Sequence, residues 1–379
     1  MTTELDTLNH ISCDKTKINL SVVLPTFNEK NNIQPLIDDL LELSMFYELE
    51  LIVVDDNSTD GTSLMVRNLA RKDRRIRLIN RIGRAGLSSA IKEGCLCASG
   101  EILVIMDTDG QHEVNTISSG IQKLLQDELD FVIGSRFLDK SAIRGLSEAR
   151  KGGSNIANFL AKLSLPKKYC HITDFMSGCM VLNRQSCISF IEKIDVNGFK
   201  FLYELLAVSK GKLKGKEIEL TFQPRKYGKS KLDIAIVWDF FVSLAHTCFQ
   251  RLIPRKAISF AFVGATGVIV QICAVYFLIW LLGIDFDKAL PFAITLAASS
   301  NYLINNSLTF RTNRLKNRAL IIGLFKFLIV SSLPIMANIG LATTFFNYIS
   351  PNILLSQLAG IIVVYIWNYA ASSRLVWNN

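Results

Sequence analysis

Two carboxylates stand two residues apart directly after an apolar segment. Asp107 and Asp109 follow residues 102–106, whose unbroken apolar character predicts a buried strand. Ligands of open α/β sheets bind at the carboxyl ends of the strands, and paired carboxylates there suit Mg²⁺ or Mn²⁺ bridging a diphosphate. An Asp-x-Asp pair alone is more typical of a solvated turn. The pair therefore predicts a nucleotide-dependent enzyme only with support from the rest of the chain.

A second acidic group follows another predicted strand. Asp55 and Asp56 come directly after residues 49–54 and open the segment Asp-Asp-Asn-Ser-Thr-Asp-Gly. Their carboxylates can accept hydrogen bonds from a base or a ribose hydroxyl. The same residue types are also typical of a turn that caps a helix. Both interpretations can hold at once.

The elements that must position these residues alternate along the chain. Strands are predicted at 18–24, 49–54, 76–79, 102–106, 130–134 and 216–222, and helices at 32–43, 62–71, 87–98, 144–163 and 202–210. The first strand is expected to stop at Pro25. Strands that alternate with helices imply a parallel sheet with both faces covered.

The hydrophobic residues, 50% of the 379, are unevenly distributed. Charged and apolar residues mix up to about residue 231, whereas the last part of the chain holds stretches long enough to span a bilayer. Four spans are predicted, at 257–282, 289–310, 319–348 and 353–376. Gly264 and Gly267 are expected to permit close helix packing in the first span. The alternative is a set of buried helices in a soluble domain.

Basic residues predict the orientation of these spans. Arg251, Arg255 and Lys256 precede the first span, and residues 311–318 after the second span are also basic. Because such residues stay on the cytoplasmic side, both termini and the polar head are expected there. Residues 232–249 have a mixed face typical of a helix lying in the interface.

The predicted domains are a polar N-terminal tail at 1–17, a catalytic domain at 18–231, an interfacial helix and linker at 232–256, and a transmembrane domain at 257–379. The net charge of +9 comes partly from residues 200–256, which anionic lipid headgroups would attract. Nothing resembles a nucleic-acid recognition module, so no nucleic-acid partner is expected.

Five motifs in order carry a family resemblance. They are Pro-Thr-Phe-Asn-Glu at 25–29, the acidic segment at 55–61, Asp-Thr-Asp-Gly-Gln-His at 107–112, Gly-Ser-Arg-Phe at 134–137 and the basic segment at 225–231. Together they resemble the family 2 glycosyltransferases, and most of all the dolichyl-phosphate mannose synthases and their bacterial polyprenyl-phosphate relatives. The tail is similar to the GtrA-like domain. The implied fold is an α/β, Rossmann-like GT-A catalytic domain plus an all-α domain of four transmembrane helices.

The resemblance also implies roles for individual residues. Nucleotide-sugar binding falls to Pro25, Phe27, Asn28, Glu29, Asp55, Asp56, Asp107, Arg225 and Lys231. Asp107, Asp109 and Gln111 would hold Mg²⁺ or Mn²⁺. Arg136, Arg150 and Ser154 would bind the acceptor phosphate, and Asp109, Asp174 and Arg136 are the candidate catalytic residues.

The implied reaction is inverting transfer of one sugar, mannose favoured, from a nucleotide sugar to a polyprenyl or dolichyl phosphate at the cytoplasmic membrane face. Spacing cannot show pocket shape, so GDP-mannose, UDP-glucose and UDP-N-acetylglucosamine all remain open as donors. The alternatives are a UDP-sugar transferase of the GtrB type and a lipid-sugar translocation protein with a nucleotide-sugar-binding head. A homo-oligomer is also open.

Overall fold

The computed structural model describes residues 17–83, 86–138, 148–195, 200–220, 234–348 and 353–377, with the side chains of 148–152 and of several residues in the last helices excepted. The chain divides between Thr247 and Cys248 into two compact units. The first unit therefore ends within the predicted interfacial segment.

A seven-stranded sheet forms the centre of the first unit. The strands are β1 (Asn19–Thr26), β2 (Glu48–Asp55), β3 (Ile76–Asn80), β4 (Ile102–Met106), β5 (Phe131–Ser135), β6 (Cys179–Asn183) and β7 (Gly215–Glu219), in the order β3-β2-β1-β4-β6-β5-β7. Strands β1 to β4 are parallel, as predicted, but β6 runs antiparallel to β4 and β5. The expectation of a wholly parallel sheet is wrong because periodicity reports burial and not strand direction.

Proline does not end the first strand. β1 continues through Pro25 to Thr26, where Pro25 pairs in register with Val54 of β2. On its other side, the pairing of β1 with β4 ends at Val23. Since Pro25 has no neighbour in β4, its missing N–H interrupts no ladder bond on that side, which is why the strand tolerates it.

Helices cover both faces of the sheet. The first unit contains α1 (Lys30–Leu41), α2 (Thr62–Lys72), α3 (Leu87–Cys97), α4 (Asn115–Gln126), α5 (Glu148–Ser164), α6 (Arg184–Ile191), α7 (Phe201–Ser209) and α8 (Ile234–Cys248). Side chains of α1, α2 and α4 form one apolar layer, and those of α3, α5, α6, α7 and α8 form the other. The sequence predictions did not include α4 and α6.

Long helices occupy all four predicted spans. They are α9 (Arg255–Leu282), α10 (Phe286–Ile304), α11 (Asn317–Tyr348) and α12 (Ile353–Leu375), with a π-helical turn at Asn305–Thr309 after α10. Within the described residues, α9 has the length and apolar character needed to cross a bilayer, with a mean hydropathy of 2.2. That the other three helices cross a bilayer stays a prediction.

Aromatic and amide side chains hold the second unit together at one end. The rings of Phe310 and Trp377 stack at 4.2 Å between centroids, and Trp377 Nε1 donates to Asn306 Oδ1 at 3.1 Å. A Cβ at Gly267 would meet the Asn301 amide at 2.3 Å, so the predicted close packing there is confirmed. Nothing lies within 4 Å of the Cβ position at Gly264, so the same prediction for Gly264 is wrong.

Candidate active site

Reciprocal hydrogen bonds join the loop after β1 to the loop after β2. Asn28 N donates to Ser58 Oγ at 2.7 Å, and Thr59 N donates to Asn28 Oδ1 at 2.9 Å. Glu29 N donates to Thr62 Oγ1 at 3.1 Å. Asn28 has a φ of 50°, a left-handed conformation that asparagine adopts more readily than most residues. The two predicted nucleotide segments therefore form one connected rim.

The two acidic residues at the end of β2, Asp55 and Asp56, have different environments. Asp55 is fully buried, and its carboxylate accepts from Ser58 N at 2.9 Å, Ser58 Oγ at 2.5 Å and Ser63 Oγ at 2.6 Å. These bonds shape the loop, which confirms the turn interpretation of this segment. Asp56 Oδ2 accepts from Gly86 N at 2.8 Å.

A buried arginine orients Asp56. Arg81 is 1% exposed, and its Nη1 lies 2.5 Å from Asp56 Oδ1 while its Nε lies 3.2 Å from Glu93 Oε2. Burial raises the pKa of Asp56, and its bonds to Gly86 and Arg81 oppose that shift. Arg81 was not among the predicted site residues, although a basic residue directly after a strand on this rim was the available signal.

The Asp-x-Asp segment after β4 is anchored to its neighbours through backbone and hydroxyl groups. Asp107 N donates to Gly178 O at 3.1 Å, and Thr108 Oγ1 donates to Pro25 O at 3.1 Å. Gln111 N donates to Asp109 Oδ1 at 3.2 Å. The carboxylates therefore lie beside the end of β1, on the same rim as the nucleotide segments.

Gly178, directly before β6, leaves the room that the Asp107 carboxylate occupies. A Cβ at this position would lie 2.0 Å from Asp107 Oδ2 and 2.5 Å from its Cγ. Any larger residue would force the carboxylate to move. The sequence showed Gly178 in a Ser-Gly pair, but only the neighbouring strand reveals what the glycine is for.

Arg136 and Asp174 form a two-bonded ion pair. Arg136 Nε donates to Asp174 Oδ2 at 2.7 Å and its Nη2 donates to Asp174 Oδ1 at 2.8 Å. Asp174 is fully buried, whereas the Arg136 side chain is 15% exposed. Glu217 of β7 holds the adjoining loop by accepting from Thr173 N and Asp174 N, each at 2.9 Å. Sequence reasoning missed Glu217 because nothing local marks its contact.

Electrostatic interactions connect the two ends of this site. Burial lowers the pKa of His112, and the charges of Asp107, Asp109 and Asp174 oppose that shift. Burial also acts to lower the pKa of Arg136, but Asp174, Asp107 and Asp109 outweigh it and raise the value. The structure therefore brings Asp107, Asp109 and Asp174 close enough to Arg136 for their negative charges to stabilise its positive charge.

The donor set suits a divalent cation that shares its coordination with a substrate. Among the described residues, no three His, Cys, Asp or Glu side chains cluster closely enough to enclose an ion. Magnesium is typically held by one or two carboxylates together with substrate phosphates and waters. Asp107 and Asp109, with Gln111 beside them, match that pattern.

The remaining predicted site residues are placed as follows. Phe27 is 43% exposed at the rim, and Ser154 is partly buried on α5. Arg150 lies on the same helix, but its side chain is outside the described part of the structure. Arg225 and Lys231 also lie outside the described residues.

The comparisons with known proteins match both units. The family described as "Glycosyl transferase family 2" matches residues 21–189, and "GtrA/DPMS, transmembrane domain" matches residues 259–377. The dolichol-phosphate mannosyltransferase of Saccharomyces cerevisiae is 32% identical over 246 residues, covering 60% of this chain and 86% of that protein. The chain belongs to glycosyl transferase family 2. The mixed sheet of this family 2 glycosyltransferase is its GT-A-like catalytic domain, and a GtrA/DPMS transmembrane domain follows it.

A further relative aligns over nearly the whole glycosyltransferase. The dolichol-phosphate mannosyltransferase of Pyrococcus furiosus is 28% identical over 364 residues, covering 94% of this chain and 99% of that protein. Among solved structures, glucosyl-3-phosphoglycerate synthase of Mycobacterium tuberculosis in complex with phosphoglyceric acid matches with a TM-score of 0.46 and 20% identity, covering 61% of this chain and 80% of that one.

Proposed function

We propose that this glycosyltransferase transfers mannose from GDP-mannose to dolichyl phosphate and releases the nucleoside diphosphate. One observation carries the proposal: a relative named dolichol-phosphate mannosyltransferase aligns with both the catalytic and the transmembrane parts of the chain. The alignment includes the tail, which a transferase with a soluble acceptor would not need. Mannose and dolichyl phosphate are therefore favoured over the UDP-sugar and translocation alternatives.

The connected rim would hold the donor. Asn28, Glu29 and Asp56 lie on loops that hydrogen bonds already fix, so little ordering remains to be done when the nucleotide binds. Asp107, Asp109 and Gln111 would hold a divalent cation against the diphosphate. When bound, Mg²⁺ or Mn²⁺ neutralises the diphosphate and improves the nucleoside diphosphate as a leaving group.

Arg136 would present the acceptor. Its planar guanidinium stays charged and can bind a phosphate oxygen, while the two bonds to Asp174 fix its orientation. The attacking phosphate oxygen is already ionised at neutral pH, so the reaction requires no strong general base. We therefore assign Asp174 the role of positioning Arg136. Substrate positioning and charge neutralisation should then provide most of the rate enhancement.

The acceptor in this proposal is a membrane lipid. We propose that all four long helices span the bilayer with the catalytic domain and both termini in the cytoplasm, since basic residues flank the corresponding ends of the spans. Helix α8 has a buried face at Phe240 and Leu244 and exposed apolar residues at Ile234 and Phe241, as expected for a helix lying at the membrane surface.

The test is a transfer assay with a panel of donors. Purified full-length chain is incubated with Mg²⁺ or Mn²⁺, a short-chain dolichyl phosphate and radiolabelled GDP-mannose, UDP-glucose or UDP-N-acetylglucosamine. We expect label from GDP-mannose alone to enter the organic phase, and an Asp109→Ala variant to lose that transfer. Label entering from a UDP-sugar would overturn the choice of donor, and full transfer by the variant would overturn the site.

A further inference from the structure

Asn158, on helix α5, has one amide atom bonded and the other buried without a partner. Its Oδ1 accepts a hydrogen bond from Phe175 N at 3.0 Å. Asn158 is only 8% exposed, and its Nδ2 is buried without a hydrogen-bond partner among the described residues. A buried donor left unsatisfied costs free energy, so a missing partner is expected at this position.

The bond to Phe175 fixes which way the amide faces. A backbone N–H can only donate, so the atom that faces it must be the amide oxygen. Rotating the amide by a half turn would set two donors against each other. The Nδ2 group therefore points away from the Phe175 backbone, and its lack of a partner is not a matter of how the amide was assigned.

Helical spacing places Asn158 with the proposed acceptor residues. It lies four residues after Ser154 and eight after Arg150, so all three share one face of α5. Phe175 directly follows Asp174, which binds Arg136. Asn158 therefore connects the helix that carries Ser154 to the loop that orients Arg136.

We propose that Asn158 is a further acceptor-binding residue, whose Nδ2 donates a hydrogen bond to a phosphate oxygen of the lipid acceptor. The inference rests on the proposed function, because it takes the acceptor to be a polyprenyl phosphate. A phosphate supplies several strong acceptor oxygens, and a hydrogen bond to an anion is stronger than one between neutral groups. The remaining amide oxygen keeps the loop after Asp174 in place.

Asn158→Asp separates the two functions of this side chain. The variant keeps an oxygen that can accept from Phe175 N and replaces the donor with a second oxygen. We expect the KM for dolichyl phosphate to rise about tenfold or more while the KM for the nucleotide sugar stays within twofold. Asn158→Ala should raise the acceptor KM as well. Asn155→Asp is the matched control, since Asn155 is exposed on the same helix.

A direct binding measurement keeps the test independent of transfer. Isothermal titration of the full-length chain with farnesyl phosphate should show affinity reduced about tenfold in both Asn158 variants, and farnesol should bind all variants alike. Wild-type affinity for farnesyl phosphate in Asn158→Asp would overturn the inference. An equal loss for farnesol, or a matching rise in the donor KM, would also overturn it by showing a purely structural role. Failure of the wild type to transfer mannose would instead reject the proposed function.

Discussion

Replacing Gly178 by alanine should displace a carboxylate at the centre of the site. The new Cβ would lie 2.0 Å from Asp107 Oδ2, whereas such contacts essentially never fall below 3.0 Å. The carboxylate must therefore move by about 1 Å or more. Gly178 does not have a positive φ, so alanine meets no backbone strain there. The Asp107 side chain can rotate away, so the substitution should displace the carboxylate without unfolding the domain.

A shift of this size in a positioned group can reduce the rate about 100-fold. This corresponds to about 3 kcal/mol of transition-state stabilisation. For Gly178→Ala we therefore expect kcat/KM for mannose transfer to fall about 100-fold and the half-saturating Mn²⁺ concentration to rise, with Tm changed by only a few degrees. Initial rates at varied Mn²⁺ and a thermal melt of the same preparation measure both effects.

Gly264→Ala is the matched control for this substitution. Nothing lies within 4 Å of the Cβ position at Gly264, so the same added methyl group meets open space. Its kcat/KM should match the wild type. Wild-type activity and Mn²⁺ dependence in Gly178→Ala would refute the reasoning, because the Asp107 carboxylate would then have no required position.

Two further predictions concern the network around the site, and a third concerns Glu50 near the start of β2. Asp174→Asn breaks the two-bonded ion pair with Arg136, and breaking a buried pair typically costs about 3–5 kcal/mol, so a urea melt should show a clearly lower midpoint. An unchanged midpoint would contradict a stabilising role for this pair. Arg81→Met removes the partner of Asp56 and should raise the KM for the nucleotide sugar about tenfold without changing the acceptor KM. Burial acts to raise the pKa of Glu50, but hydrogen bonds from Ser21, Ser99 and Arg77 lower it to about 2. Because the folded pKa lies below the unfolded value of 4.5, the stabilisation is full above that value and is lost as pH falls toward 2. After the discount for solvent screening, Glu50→Gln should lower the free energy of unfolding by about 2 kcal/mol at pH 7 and by less at pH 3. Denaturant melts at both pH values measure the difference.

Much of the catalytic fold could be predicted because its signals are local. The strand at Ile102–Met106 has the predicted bounds, and β2, β3, α2 and α3 differ from theirs by a residue or so. Unbroken apolar runs and helical spacing indicate which residues are buried, and these residues are buried in the folded domain. The predictions omitted α6, and they omitted α4 although its buried Ile117, Ile121 and Leu124 recur at helical spacing, so that signal was present in the sequence.

Motif order also placed the nucleotide and metal candidates on one rim. The loops carrying Asn28, Asp56 and Asp107 all follow parallel strands, and the carboxyl ends of parallel strands lie at the same edge of a sheet. Alternation of strands and helices was therefore enough to bring these residues together. The roles of Asn28, Asp56 and Asp107 in binding a donor stay predictions that the assays above test.

The sequence by itself indicated most of the buried segments, the edge of the sheet that carries the acidic residues, and the presence of a transmembrane domain after the catalytic one. Only the tertiary structure decided that β6 runs antiparallel, that Gly178 makes room for Asp107, and that Asp174 binds Arg136 across a separation of 38 residues. Hydrophobic periodicity is a property of neighbouring residues. Strand direction and contacts between distant residues depend instead on how the whole sheet pairs, so no local pattern contains them.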